Sequence, residues 1–142
     1  MLTPVLLKAN YKVTTATSLV LTVEDLLASN LPLLFPELVV FNRTPTADTI
    51  ALTLVRKIVY LNSTDPDFDG VVSTTLSNPS IGQGVSATLA LGTYSLVPSN
   101  YGITHELTVA NAGAALEARV SLVLRGMIES SVHPDPLVIQ NV

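Results

Sequence analysis

The sequence predicts an α+β protein in which a series of antiparallel strands precedes a C-terminal helical segment. Three observations support this prediction. Short runs of aliphatic and β-branched residues alternate with Pro, Gly, Asn and Asp turns until about residue 110. Apolar residues then recur at helical spacing over 109–130. Only 13% of the 142 residues are charged and 48% are hydrophobic, so little charge is available to cover a surface.

The N-terminal part is predicted to form a hairpin followed by an irregular segment. Strands are expected at 4–8 and 17–23 with a turn-like stretch between them, so residues 1–23 are assigned to an N-terminal hairpin. Residues 24–36 are ambiguous, because they fit either one helical turn or an irregular loop closed by prolines.

An antiparallel sheet is predicted over 37–110, because its strands are short, regularly spaced and separated by turn signals. The longest strand, 49–62, is largely apolar on both faces, which indicates that both are covered. The other strands of this sheet are expected at 37–42, 71–77, 85–97 and 103–110.

Residues 111–142 are predicted to form the C-terminal helical segment of a single domain, 1–142. Its main part is one amphipathic helix within VANAGAALEARVSLVLRGMIES, with Asn111 as the N-cap and Pro134 beyond its end. The terminal DPLVIQNV, 135–142, fits either a short second helix or an extended tail.

One helix covers only part of one sheet face, so a monomer of this composition would expose a large apolar surface. Soluble proteins avoid such patches, and open sheet edges promote aggregation. The sequence therefore predicts an intertwined homodimer in which each helix packs on the partner's sheet. The apolar stripe of the helix is the predicted interface: Leu116, Val120, Val123, Leu124, Met127 and Ile128.

This order of elements resembles the coat proteins of single-stranded RNA bacteriophages. The resemblance is carried by TSLVLT, by ITHELTVANAGAALEARVSLVLRGMIES and by the closing HPDPLVIQNV. It implies an N-terminal hairpin, a five-stranded antiparallel meander, and one long and one short C-terminal helix. It also implies a structural capsid protein whose dimers assemble into an icosahedral shell around genomic RNA, in a virion formed in the bacterial cytoplasm.

The family binds an RNA hairpin on its inner sheet face, so the resemblance implies a strand-borne RNA site. This chain has only seven basic residues and a net charge of −4, which favours weak general packaging over specific recognition. The candidate RNA-binding groups are Lys57 with Thr53, or Arg56 with Tyr60, on whichever face looks inward, together with Arg43. The alternative is that Tyr60 packs within the sheet and Arg56 pairs with an acid.

DPDFDG places Asp65, Asp67 and Asp69 at alternate positions, as at the start of an EF-hand calcium loop. Leu76 stands where that loop needs glutamate, and the flanking residues have strand patterns. An EF-hand is therefore excluded. A solvated acidic turn is favoured over a looser calcium or magnesium site.

No catalytic motif is recognisable in the sequence. His105 and His133 are the only histidines, there is no cysteine, and no spacing supplies the ligands of a zinc site. Nucleophile-elbow and phosphate-loop patterns are also missing. Neither an enzyme nor a cofactor is expected, and no apolar run is long enough to span a membrane. The alternative function is a non-enzymatic β-sandwich binding or adhesion module, or a phage tail or fibre subunit.

Overall fold

A computed structural model describes residues 2–14, 18–27, 31–45, 48–60, 70–91, 95–97, 102–113, 117–129 and 137–141. These residues form ten strands and a 3₁₀ turn, Val23–Leu26, and no helix among them is long and apolar enough to cross a membrane. The strands are β1 (Leu2–Thr14), β2 (Leu19–Thr22), β3 (Leu34–Asn42), β4 (Ile50–Tyr60), β5 (Gly70–Ser77), β6 (Ser80–Ile81), β7 (Ser86–Leu89), β8 (Ile103–Asn111), β9 (Glu117–Glu129) and β10 (Leu137–Asn141).

The strands form two sheets that enclose one core. Sheet A has the order β10-β1-β9-β3-β7, in which β10 runs parallel to β1 and every other pair is antiparallel. Sheet B has the order β2-β8-β4-β5, all antiparallel, and the short β6 pairs with the start of β4. Buried side chains from both sheets belong to a single cluster, so the chain is a β-sandwich.

The strand pairing is nested. Setting β6 and β10 aside, the first strand pairs with the last, β1 with β9, and the second with the second-last, β2 with β8. The inner pairs are β3 with β7 and β4 with β5. Successive pairs alternate between the two sheets. A double-sheet arrangement of eight strands wound in this way is a jelly roll.

Alternation along the strands builds the core, because successive side chains point to opposite faces of a sheet. Its largest fully buried side chains are mostly leucines, contributed by both sheets. Burying each of them stabilises the fold by roughly 1.5–3 kcal/mol relative to exposure. Sheet A supplies Leu38, Leu122 and Leu124, and sheet B supplies Leu52, Leu54 and Leu107.

The helix predicted after Asn111 is wrong, because Glu117–Glu129 is the 13-residue strand β9 in the middle of sheet A. Val120 and Leu124 are four residues apart, and residues with this spacing lie on the same face both in a helix and in a strand. The even positions of 117–129 are apolar or Gly126, whereas most odd positions are polar or charged. This period of two, with several β-branched residues and a glycine, favours the strand.

The N-terminal hairpin of 1–23 and the meander of 37–110 are also wrong, so the α+β assignment is replaced by an all-β one in the described residues. β1 lies in sheet A, whereas β2 lies in sheet B. Of the described strands, only β4 and β5 are consecutive and also neighbours. Local patterns identify strands, but their partners depend on how distant segments pack. Within 135–142, residues Leu137–Asn141 form the extended strand β10 and not a short helix.

The intertwined dimer, with each helix on the partner's sheet, is wrong for a related reason. Its premise was that one protomer leaves an apolar sheet face bare. In the structure the two sheets of the same chain cover each other's apolar faces, and the last long segment, β9, pairs with β1 and β3 of its own chain.

Candidate functional site

The outer face of sheet A carries two chemically different ends. The register of β1, β9 and β3 aligns its side chains in rows across the three strands. The apolar end is defined by Pro4, Leu6, Phe35, Glu37, Arg125 and Met127. The basic end is defined by Lys8, Asn10, Lys12, Phe41, Arg43, Arg119 and Ser121. Phe35 and Arg43 are eight residues apart along one strand direction, about 25 Å at roughly 3.3 Å per residue.

The basic end collects four of the chain's seven basic residues: Lys8, Lys12, Arg43 and Arg119. One described carboxylate, that of Glu117, lies with them. Its Oε1 is 3.9 Å from Lys12 Nζ and 3.7 Å from Arg119 Nε. Exposed pairs of this kind contribute only about 0–1 kcal/mol, and they leave the basic end with a positive charge on a chain of net charge −4.

Arg43 is fixed at the centre of the basic end. Its backbone N–H donates to the carbonyl oxygen of Arg119 at 2.8 Å. Its Nη1 donates to Ser121 Oγ at 3.1 Å and, more distantly, to Asn10 Oδ1 at 3.4 Å. Ser121 Oγ in turn donates to Asn10 Oδ1 at 2.5 Å. Both acceptors are neutral, and Arg43 forms no ion pair with a carboxylate in the described part of the chain. Its charge is therefore oriented but not compensated there.

A shallow cavity of about 250 Å³ opens beside Arg43 and is called the Arg43 niche below. Its lining is Lys8, Asn10, Phe41, Arg43, Ser121, Leu122 and Val123. Phe41 is 39% exposed and lies opposite Ser121 on β9, and Val123, one row further along β9, supplies additional apolar surface to the niche. Lys8 is exposed and pairs with none of the described carboxylates. The niche thus combines two cations with an apolar wall.

A second cavity, of about 200 Å³, shares Asn10, Arg43 and Ser121 with the niche and extends towards Tyr11 and Arg119. Burial raises the pKa of Tyr11, because the phenolate is poorly solvated there. The Tyr11 side chain packs against the core, on the opposite face of β1 from Lys8, Asn10 and Lys12.

The apolar end is interrupted by a single ion pair. Arg125 Nη2 lies 2.6 Å from Glu37 Oε1, and this hydrogen bond and the carboxylate charge raise the pKa of Arg125. Beside the pair, the register of β3 against β9 shifts between Leu34 and Glu37, which marks a bulge. Phe35 lies in this bulge and projects outward.

A second polar cluster is buried at the end of sheet B. Glu24 Oε1 lies 2.5 Å from His105 Nδ1, and Glu24 Oε2 accepts the backbone N–H of His105 at 2.8 Å. Both side chains are only 1% exposed, so a substrate in solution does not reach them. The pair joins the 3₁₀ turn to β8. No group of three or more acidic or histidine side chains suited to a metal occurs in the described segments.

The predicted RNA-binding residues divide between the two sheets: four lie on β4 of sheet B and Arg43 lies beyond β3 of sheet A. Thr53 and Lys57 lie on the outer face of sheet B, where Lys57 Nζ is 2.8 Å from a carboxylate oxygen on β8. Arg56 points to the opposite side of β4, and Tyr60 is the last residue of that strand. Arg43 follows β3 in sheet A. The RNA-binding role of these residues stays a prediction.

The predicted interface residues divide between the core and the outer face of sheet A. Three are buried between the sheets of their own chain: Val120, Leu124 and Ile128. Two lie on the outer face of sheet A: Val123 and Met127. The remaining one, Leu116, lies outside the described residues, as do the predicted metal ligands Asp65, Asp67 and Asp69.

Sequence reasoning missed most of this surface. Lys8, Asn10 and Lys12 occupy alternate positions of β1 between buried apolar residues, a period of two that marks one solvent-facing row. The same reading of β9 places Arg119 and Ser121 on a single face. The exposure of Phe35 has no comparable signal, because it depends on the bulge in β3.

No family model and no curated protein matches the chain. Solved structures match it at low identity. A Yersinia pseudotuberculosis-derived mitogen is 10% identical with a TM-score of 0.48, over 91% of this chain and 92% of that one. PirA is 7% identical with a TM-score of 0.45, over 81% and 90%. The VP2 subviral particle of infectious bursal disease virus is 14% identical with a TM-score of 0.35, over 92% of this chain and 34% of that one.

These neighbours include a viral capsid protein, and another is a xylanase that carries a carbohydrate-binding module. None of those named is a coat protein of an RNA phage. Their similarity is too weak to assign a function, so a functional argument depends on the side chains of sheet A.

Proposed function

We propose that this chain is a non-enzymatic β-sandwich module that binds an anionic ligand in the Arg43 niche. The proposal depends on one observation: the Arg43 guanidinium is held in a fixed orientation, but its charge is not compensated within the described residues. Two neutral oxygens, Asn10 Oδ1 and Ser121 Oγ, hold it in place, and no described carboxylate offsets its charge. An anion that enters the niche meets a cation that is already oriented.

The niche favours a ligand that joins an anionic group to a flat apolar ring. Charge-assisted hydrogen bonds from Arg43 and Lys8 would hold the anion, each contributing about 1.5 kcal/mol, the low end for charged groups, because both side chains are exposed. The partly exposed Phe41 ring offers a stacking surface for the ring of the ligand. A phosphate, a sulfate or a carboxylate would supply the anionic group; a nucleotide joins it to a flat base, and an acidic sugar joins it to a ring with an apolar face.

The proposal is tested by calorimetric titration of the full chain with phenyl phosphate. We expect a Kd on the order of 1 mM, which corresponds to about −4 kcal/mol. Phenol lacks the anion and inorganic phosphate lacks the ring, so both should bind more weakly. Replacement of phenyl phosphate by uridine monophosphate or by glucuronate then distinguishes a nucleotide source from an acidic sugar.

A matched pair of variants locates the binding. Arg43→Gln should weaken phenyl phosphate binding about tenfold or more, because it removes the oriented cation. Lys57→Gln makes the same charge change on the outer face of sheet B and should leave binding unaltered. Equal losses in the two variants would show that net charge, rather than the niche, attracts the ligand.

A second candidate is a structural subunit of a shell, and the exposed apolar end of sheet A favours it. In this function the chain would associate with its own copies in a virion, and RNA would supply the anionic groups. Expression in bacteria should then yield particles visible by electron microscopy that contain nuclease-protected RNA. If the protein stayed small and free of RNA under the same conditions, the shell function would be contradicted and the binding module would be the remaining candidate.

A further inference from the structure

A protruding phenyl ring stands at the apolar end of sheet A. Phe35 is 73% exposed, more than any other large hydrophobic residue in the described part of the chain. Its φ is 51°, in the left-handed region that bulky residues avoid. A backbone conformation of this kind persists only where the surrounding structure enforces it, and it is common at sites of recognition. The bulge in β3 thus holds an aromatic side chain out in solvent.

A cavity lies directly beside this ring. Its volume is about 410 Å³, and its walls include Pro4, Leu6, Met127 and Phe35 itself. An apolar cavity of about 150 Å³ is sufficient for one benzene molecule, so a second phenyl ring fits with space remaining. The same surface therefore presents both a projecting apolar group and a space that matches it.

We propose that two copies of this chain associate about a two-fold axis at the apolar end, with Phe35 of each inserted in the cavity of the other. A two-fold contact requires a patch that is complementary to itself, and a projection beside a matching cavity meets this requirement. The two phenyl rings would approach each other across the axis, where aromatic pairs are favourable.

The charges of the apolar end favour a second copy over a different partner. The patch carries one carboxylate, Glu37, and one guanidinium, Arg125, side by side. Glu37 and Arg125 are paired across strands, so a two-fold axis that runs along the strands brings this pair antiparallel to its equivalent, and Glu37 then faces Arg125 of the partner subunit. A partner surface of a single charge sign would instead repel one of the two groups.

The size of the surface indicates a weak dimer. Five strands about 4.8 Å apart, with a mean length of about nine residues, give sheet A a face of about 700 Å². A standard interface buries about 800 Å² per partner, so a contact centred on one end of this face is small. The dimer contact is centred on Phe35, about 25 Å from Arg43, so the Arg43 guanidinium stays open in this dimer, while Lys8 and Val123 of the niche lie one row from Leu6 and Arg125. The inference is therefore independent of the proposed ligand binding.

The test is sedimentation equilibrium of the full chain between about 10 µM and about 1 mM, where weak dimers dissociate measurably. We expect a reversible monomer–dimer equilibrium. Phe35→Gly should raise the dissociation constant about tenfold or more, and glycine tolerates the positive φ, so the fold is retained. Phe41→Ser removes the other exposed phenyl ring of β3, at the basic end, and should leave the constant unchanged.

Charge variants provide a second test at the same contact. Glu37→Arg should weaken the dimer, since it places two guanidinium groups together, and the combined change with Arg125→Glu should restore it. A wild-type chain that is monomeric at about 1 mM would contradict the proposal, and so would an unchanged dimer in Phe35→Gly. Phenyl phosphate binding by Phe35→Gly reports separately on the Arg43 niche.

Discussion

Gly126 shows how closely β9 approaches the start of β3. A Cβ built at this position would lie 2.6 Å from the carbonyl oxygen of Leu34 and 2.8 Å from Leu33 Cγ. We expect Gly126→Ala to destabilise the protein by about 1–3 kcal/mol, because the new methyl group would clash with the backbone of Leu34, which cannot move away without disturbing the sheet. Gly70→Ala is the matched control, since nothing lies within 4 Å of its Cβ position. Chemical denaturation measures both, and equal stability of the two variants would contradict the close approach.

Glu24 supplies both acceptor oxygens for His105 in a site closed to solvent. Glu24→Ala leaves a buried N–H and a buried imidazole without their acceptor, and we expect a loss of about 3–5 kcal/mol in the free energy of unfolding. The comparison is Glu106→Ala, which breaks a half-exposed ion pair with Lys57 and should cost about 0–1 kcal/mol. Denaturant titrations that gave similar losses for the two would refute a structural role for the buried pair.

Tyr11 makes stability depend on pH in the alkaline range. Burial raises its pKa in the folded chain above the ordinary value of 10.0, so the folded state favours the neutral phenol. This contribution to stability is complete below about pH 10 and is lost as the pH rises through the raised pKa. Tyr11→Phe should therefore lose less stability than the wild type as the pH rises above about 10. Urea unfolding measures the free energy of unfolding of both proteins, and identical pH profiles for Tyr11→Phe and the wild type would contradict a stabilising role of the neutral phenol.

At the scale of elements, the sequence indicated where strands lie but not which strands pair. The predicted strands 49–62, 71–77 and 103–110 overlap β4, β5 and β8 closely. The error at β9 arose because its buried residues include a set spaced by four, which fits helix and strand equally. The alternation of apolar and polar residues over 117–129, together with Gly126, correctly indicates a strand. Pairing partners such as β1 and β9 are separated by most of the chain, and no local pattern specifies them.

The strand β10 protects one edge of sheet A. It pairs in parallel with β1 from Val5 to Ala9, whose other side is bonded to β9. A chain shortened by residues 137–142 should expose this edge, so the amides of β1 that point towards β10 should exchange faster with solvent while those that point towards β9 remain protected. Hydrogen exchange read by NMR measures the alternation. Uniform protection along β1 in the shortened chain would contradict the pairing, and aggregation is a further expected result of the open edge.

At the scale of the whole molecule, the nested pairing gathers the surface that we propose as functional. Lys8 from β1, Ser121 from β9 and Arg43 after β3 are distant in sequence, and they meet only because the first and last strands of the roll are neighbours. Sequence reasoning selected Arg43 but grouped it with residues of β4, since it had no means to assign the two segments to different sheets. The low charge content indicated covered surfaces, and the two sheets of one chain account for most of that covering.

We propose that the outer face of sheet A is the recognition surface of this protein. The most direct measurement is an NMR map of backbone shift changes during titration of the full chain with phenyl phosphate. We expect the changes to concentrate at Lys8, Asn10, Phe41, Arg43 and Ser121, because these residues line the niche. Changes concentrated around Lys57 on sheet B, or no saturable change at all, would contradict the claim.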